Sequence, residues 1–243
     1  MSTLTLEHLS HSQIQSFTMC PRKWHFEKVD KAPREQVGSA LVFGIAVHDA
    51  LAAANEAALT GEGYDAAAGF ISAWKVSVAE ASVPIIYGKD GPDDLMAKGR
   101  ALAAAYTPPP GIIGVEQPFM VELDPELPVV QGRIDLIRRT ETGELAIADL
   151  KTSSSRLLTE TDGVEAQLAL YHEAYPAERH EAVVLGKLKT PTVTIQPITP
   201  WPRQQLVRHY RDVHHAMTNG VRYAVRGWQC ESCSFANRCR KES

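Results

Sequence analysis

Asp135, Asp149 and Lys151 are of the types, and at the spacing, that hydrolysis of a phosphodiester uses. Thr140-Glu141-Thr142-Gly143 between them reads as a turn joining two strands. If the turn is centred on Thr142, antiparallel partners have residue numbers adding to 284, as Asp135 and Asp149 do. The two acids then stand opposite each other on neighbouring strands, where they repel unless a cation lies between them. A divalent metal is the simplest such cation. Lys151 lies two residues beyond Asp149, so the strand's period of two places its ammonium on the same face. The trio can hold a hard cation and orient a water beside it. On a solvated hairpin the same residues would be idle, but Asp149 sits in the apolar run Leu145-Ala146-Ile147-Ala148-Asp149-Leu150, which reads as a buried strand.

The four cysteines form a second group. Cys20 stands alone, and Cys230, Cys233 and Cys239 are separated by two and then five residues. Three thiolates on one short loop can coordinate a metal, and a distant fourth would tie the two ends of the chain together. On ligand types, zinc held by four thiolates and an iron–sulfur cluster fit equally well.

Charge is divided in the same way. The chain of 243 residues has a net charge of −4, but residues 201–243 carry +5, residues 20–34 carry +3, and residues 35–200 carry −11. The mild overall acidity argues against a protein that coats nucleic acid with its whole surface, while the basic ends can still hold a phosphate backbone. No apolar run reaches the roughly 18 residues of a membrane span, and the N-terminal stretch lacks the pattern of a signal peptide, so the expectation is a cytoplasmic protein with reduced thiols. No G-x-x-x-x-G-K-[ST] loop is present, which excludes a visible ATP motor.

The elements that must position these groups follow from period and punctuation. Short helices are expected over Leu9–Val29, with Ser10 or Ser12 as N-cap and Pro21 opening the second. Gly38–Leu59 is the strongest helix signal, followed by helices at about Tyr64–Ser82 and Pro92–Tyr106. Pro108-Pro109-Pro110-Gly111 then stops helical structure. Strands are expected at Ile112–Leu123, Val129–Arg139 and Glu144–Lys151, a helix at about Gly163–Tyr175, strands at Ala182–Leu188 and Val193–Ile198, and a long helix at about Arg203–Val225. This order predicts an α/β chain with a central mixed β-sheet flanked by helices. Residues 35–200 would form the core, with 9–34 and 201–243 meeting in a side module.

Gln131-Gly132-Arg133-Ile134-Asp135-Leu136 and Ile147-Ala148-Asp149-Leu150-Lys151-Thr152 resemble the G-x-x-D and (D/E)-x-K motifs of the PD-(D/E)XK nuclease superfamily, in particular its RecB-like branch. Gly44-Ile45-Ala46-Val47-His48 is similar to the branch's G-x-x-x-H helix motif, and Gln167-Leu168-Ala169-Leu170-Tyr171 to its Q-x-x-x-Y motif. Leu9-Ser10-His11-Ser12 through Cys20-Pro21-Arg22-Lys23-Trp24 resembles the branch's opening. From their patterns alone, His48 shares a helix face with Leu41, Ile45 and Leu51 and reads as a core histidine, and Gln167 and Tyr171 read as a core tyrosine with a polar neighbour. Glu116 lies where the branch often has a glutamate and is a second-tier candidate.

The resemblance implies a restriction-endonuclease-like core in which His48, Asp135, Asp149 and the Leu150 carbonyl hold Mg²⁺ or Mn²⁺ while Lys151 positions the attacking water. Gln167 and Tyr171 would line the DNA path. The one-plus-three cysteine layout is similar to that of the branch's iron–sulfur nucleases, such as the AddB nuclease domain and the CRISPR adaptation nucleases. It implies a structural 4Fe-4S cluster on Cys20, Cys230, Cys233 and Cys239, with Zn²⁺ as the alternative. Arg22, Lys23, Arg238 and Arg240 would guide DNA, with Trp24 or Trp228 stacking on an unpaired base. The implied activity is a DNA exonuclease preferring single-stranded ends, 5′→3′ by analogy, from a bacterial or phage-infected cytosol. The rivals are a non-catalytic DNA-binding module and an adaptation factor trimming DNA within a complex. No heptad or exposed repeat supports an oligomer.

Overall fold

The computed structural model describes residues 5–242; residues 1–4 of the N-terminal stretch read above, and Ser243, lie outside that description. The chain begins with α1 (His11–Met19) and α2 (Pro21–Lys28), then β1 (Val37–Gly38), α3 (Ser39–Thr60), α4 (Ala66–Ala79), β2 (Ile85–Ile86) and α5 (Pro92–Ala105). Three strands follow, β3 (Ile112–Val121), β4 (Val130–Arg139) and β5 (Leu145–Ser153). After these come α6 (Asp162–Ala174), β6 (Arg179–Gly186), β7 (Thr192–Pro197), α7 (Arg203–Thr218) and α8 (Ala236–Lys241).

Local chemistry sets the boundaries. Ser10 caps α1 by accepting from the Gln13 N–H, and Pro21 opens α2, where a missing N–H is harmless. α3 ends at Gly61, whose φ of +76° suits a left-handed cap. The last long helix stops at Thr218, short of the expected Val225, because Asn219 and Gly220 (φ +70°) turn the chain out of the helix.

β3 to β7 form one five-stranded sheet in sequence order, antiparallel throughout except for the parallel pair β5–β6, which α6 connects. This is the expected mixed sheet. One face packs on α3, α4 and α5 through Leu136, Ala148, Leu150, Val183 and Leu185. The other packs on α6 through Ile147, Ala182 and Val184 against Val164, Leu168 and Tyr171, with α1 and α7 beyond. Asp149 and Lys151, alternating with Ala148 and Leu150 along β5, therefore face α6.

α3 departs from expectation in the face it buries. Its length and composition alone would allow a membrane span, but it is a core helix of this fold, and His48-Asp49 interrupt its apolar run. Its core face is Val42, Phe43, Ala46, Val47, Ala50, Leu51 and Ala54, buried against α4, α5 and the sheet. Leu41 and Ile45, expected on that face, point outward. The helix is apolar on nearly every side, so periodicity could not tell which stripe would be covered.

The ends of the chain pack together. Arg22 N–H donates to the Tyr223 carbonyl at 3.1 Å, Glu35 accepts from the N–H groups of Asn237 and Arg238 at 2.9 and 3.1 Å, and Phe26 packs on Phe235 at 5.5 Å between ring centroids.

Candidate active site

The β4–β5 ladder has the predicted register, with Leu136 opposite Ala148 and Ile137 opposite Ile147, but it ends one pair before the two aspartates. In the gap, Asp135 Oδ2 accepts from the Leu150 N–H at 2.8 Å. A side-chain carboxylate thus satisfies a backbone donor that the broken ladder leaves free, which anchors Asp135 where the strands part.

From Asp149 to Asp135 runs a continuous polar chain. Lys151 Nζ donates to Asp149 Oδ1 at 3.0 Å and to Gln167 Oε1 at 3.0 Å. Gln167 Nε2 donates to the Tyr171 hydroxyl at 2.8 Å, and that hydroxyl donates to Asp135 Oδ1 at 3.3 Å. Gln167 and Tyr171, four residues apart on α6, supply the middle of the chain. Burial, followed by the Asp135 charge, pushes the Tyr171 hydroxyl well above its ordinary pKa, so it stays a proton donor.

Asp149 is fully buried, and burial pushes its carboxyl up to about 6 despite the opposing pull of Lys151. The Lys151 ammonium also lies 2.8 Å from Oδ2, but no well-directed hydrogen bond reaches that oxygen. A buried carboxylate oxygen without a directed donor is a natural cation ligand.

On the open side of Asp135, His48 Nδ1 lies 3.7 Å from Oδ2, and one ligand atom from each of His48, Glu116 and Asp135 falls within 4.8 Å of the others. Glu116 stands opposite Asp135 between the flanking pairs Val115–Leu136 and Gln117–Ile134 of the β3–β4 ladder. It adopts φ +47°, which is strained for a residue with a side chain, in the middle of a strand. Burial and then the Asp135 charge raise its pKa, while Arg133 NH1 lies 3.6 Å from it. One imidazole and several carboxylate oxygens suit Mg²⁺ or Mn²⁺, so these residues fit the implied metal.

Glu116 thus belongs at the centre of the group rather than in a second tier. The sequence did not place it there: a turn centred on Pro125 of Asp124-Pro125-Glu126 would set Glu116 against Ile134, and the observed register is one residue different.

All four cysteines line one cavity of about 400 Å³, together with Met19, Lys23, Phe26, Trp228, Phe235 and Arg240. Burial raises the Cys233 pKa. Thiols from both chain ends around an apolar cavity fit a soft metal or cluster. Of the residues expected on DNA, Lys23 and Arg240 face this cavity, and Arg238 is held by Glu242 at 2.9 Å and over the Phe26 ring at 5.0 Å. Arg22 is half-buried beside Tyr223. Trp24 is a correction: it is fully buried in edge contact with Phe17 and His25, because its helix turns that face to the core, and no base can reach it. Trp228 is 80% exposed.

A family model described as "PD-(D/E)XK nuclease superfamily" matches residues 8–240. Two crystal structures share the fold. The "Putative exonuclease" from Eubacterium rectale aligns with a TM-score of 0.58 at 16% identity over 96% of this chain and 88% of its own. SSO0001 aligns with a TM-score of 0.51 at 15% identity over 100% of this chain and 90% of its own. No curated protein matches the chain.

Proposed function

The chain belongs to the PD-(D/E)XK nuclease superfamily, and on that premise we propose that it is a divalent-metal-dependent deoxyribonuclease digesting DNA from free ends, preferring unpaired strands. The observation that carries the reading is the unbroken chain from Asp149 through Lys151, Gln167 and Tyr171 to Asp135, with His48 and Glu116 on its open side. His48, Glu116, Asp135 and Asp149, with the Leu150 carbonyl, would hold Mg²⁺ or Mn²⁺, and the bound ion supplies Lewis-acid stabilisation of the phosphate and a more acidic water. Lys151, oriented by Gln167, would position the attacking water and steady negative charge developing on the phosphate. Tyr171 keeps Asp135 turned toward the metal position by donating to its second oxygen. Digestion in the 5′→3′ direction, in a compartment that keeps thiols reduced, completes the reading on the strength of the family likeness.

With end-labelled single- and double-stranded DNA and Mn²⁺, the protein is expected to release label fastest from the single strand, and Asp149→Ala to act at least about 10³-fold more slowly. Equal rates for the two proteins would sink the assignment. Binding without cleavage by the unaltered chain would favour the architectural alternative.

The cysteine cavity supports a 4Fe-4S cluster on Cys20, Cys230, Cys233 and Cys239, closing residues 9–34 and 201–243 into one module. Zinc on the same four thiolates is the alternative.

A further inference from the structure

We infer that the outward face of α3 is the track along which an unpaired DNA strand runs between the cysteine-lined cavity and the metal-holding residues. This rests on the nuclease reading and deepens it by naming a substrate surface that the chemistry alone does not require.

Four residues at helical spacing form the track: Leu41, Gly44, Ile45 and His48. Leu41 is 55% and Ile45 47% exposed, although the opposite face of α3 already supplies its packing. Gly44 sits between them. Glycine inside a helix costs about 1 kcal/mol relative to alanine, and packing gives no reason for it here, because a Cβ at Gly44 would meet no atom within 4 Å. Bare backbone flanked by two exposed aliphatic side chains provides close approach for a sugar or phosphate, with apolar contact for the bases on either side.

Both ends of the track reach a site already described. At one end His48 belongs to the metal-holding group. At the other, Gly38 lies so close to Ser232 that a Cβ would stand 2.8 Å from the serine Cβ, and Gln36 donates to the Glu231 carbonyl at 3.3 Å. Glu231 and Ser232 lie between Cys230 and Cys233, beside Lys23, Arg240 and the exposed Trp228. Ten residues of helix span about 15 Å, a path of a few unstacked nucleotides at most.

The track carries no fixed charge, since residues 36–48 contain no Asp, Glu, Lys or Arg, and the cations that would hold phosphates stand at its cavity end, where Lys23, Arg226 and Arg240 line the cavity alongside Glu231. The aliphatic surface selects the unpaired strand, because base faces are open to Leu41 and Ile45 only when they are not stacked in a duplex.

The test compares the full-length protein with Leu41→Ser/Ile45→Ser, with Gly44→Gln, and with Val76→Ser, which alters an exposed aliphatic residue on α4. Fluorescence anisotropy with labelled oligo(dT) in Ca²⁺ reads binding, and hydrolysis of bis(p-nitrophenyl) phosphate in Mn²⁺ reads the chemical centre. The first two variants are expected to bind oligo(dT) at least about tenfold more weakly and to keep the hydrolysis rate, Gly44→Gln melting no lower than the unaltered protein because glutamine favours the helix, with Val76→Ser unchanged throughout. If the unaltered protein cleaves DNA and these variants bind as tightly as it does, the track is wrong and the nuclease reading stands. If the protein binds oligo(dT) in a Leu41- and Ile45-dependent way but cleaves nothing, the track stands and the nuclease reading fails. No binding by the unaltered protein would overturn the track, as would variants that change only self-association in sedimentation.

Discussion

Asp149 shows what a short motif can and cannot convey. The D-x-K spacing placed the lysine beside the acid, and the ammonium does lie within 3.0 Å of it. The spacing could not say that the acid would be fully buried, because burial comes from α6 closing over β5. The consequence is a metal-free site that opposes its own fold. With an ordinary value of 3.8 and a folded value of about 6, Asp149 binds its proton more tightly in the folded state. Its contribution to stability is therefore greatest below pH 4 and is lost as pH rises through 6. Asp149→Asn removes that loss. The metal-free variant is expected to be more stable than the unaltered protein at pH 7.5 by on the order of 1–3 kcal/mol, with the difference vanishing near pH 4. Mn²⁺ should raise the melting temperature of the unaltered protein alone. Calorimetry at the two pH values, with and without Mn²⁺, reads all three effects, and a variant destabilised at pH 7.5 would show that Lys151 needs the charge more than burial penalises it.

At the level of elements, the turn at Thr142 correctly set the register of β4 on β5, since hairpin pairing is fixed once the turn is placed. That the ladder would open one pair early was not legible, because it depends on Asp135 capturing the Leu150 N–H. β3 carries the matching irregularity. Glu116 at φ +47° turns its carboxylate toward His48 and Asp135, and a left-handed backbone at a glutamate has no sequence signature. Glu116→Gly and Glu116→Ala both remove the carboxylate, but only glycine relieves the backbone. Glycine is expected to melt higher than alanine, by about 1 kcal/mol, while both lose the Mn²⁺-induced rise. Equal melting temperatures would mean that the strain is not stored there. The face of α3 was misread for a related reason: a helix apolar all round leaves its orientation to its neighbours.

At the scale of the whole molecule, residues near positions 20–35 meet residues near 221–242 through backbone hydrogen bonds, the Phe26–Phe235 contact and the ion pair of Asp30 with Arg222. The cysteines join the same surfaces, so the cluster reading predicts that Cys20→Ala and Cys233→Ala lower the melting temperature of anaerobically prepared protein to a similar extent. Iron analysis should find roughly four irons per chain in the unaltered protein and less in either variant. A colourless, zinc-loaded preparation, or a dispensable Cys20, would defeat it. By itself the sequence determined the order and type of the main elements, the hairpin register and the acids, lysine and cysteines available for chemistry, because period, turn residues and residue type are local properties. Tertiary structure alone decided that Glu116 joins His48 and Asp135, that Trp24 is core and that Leu41 and Ile45 face outward. Those outcomes depend on which surfaces of distant segments cover one another, and apolar composition is equally satisfied by several such choices.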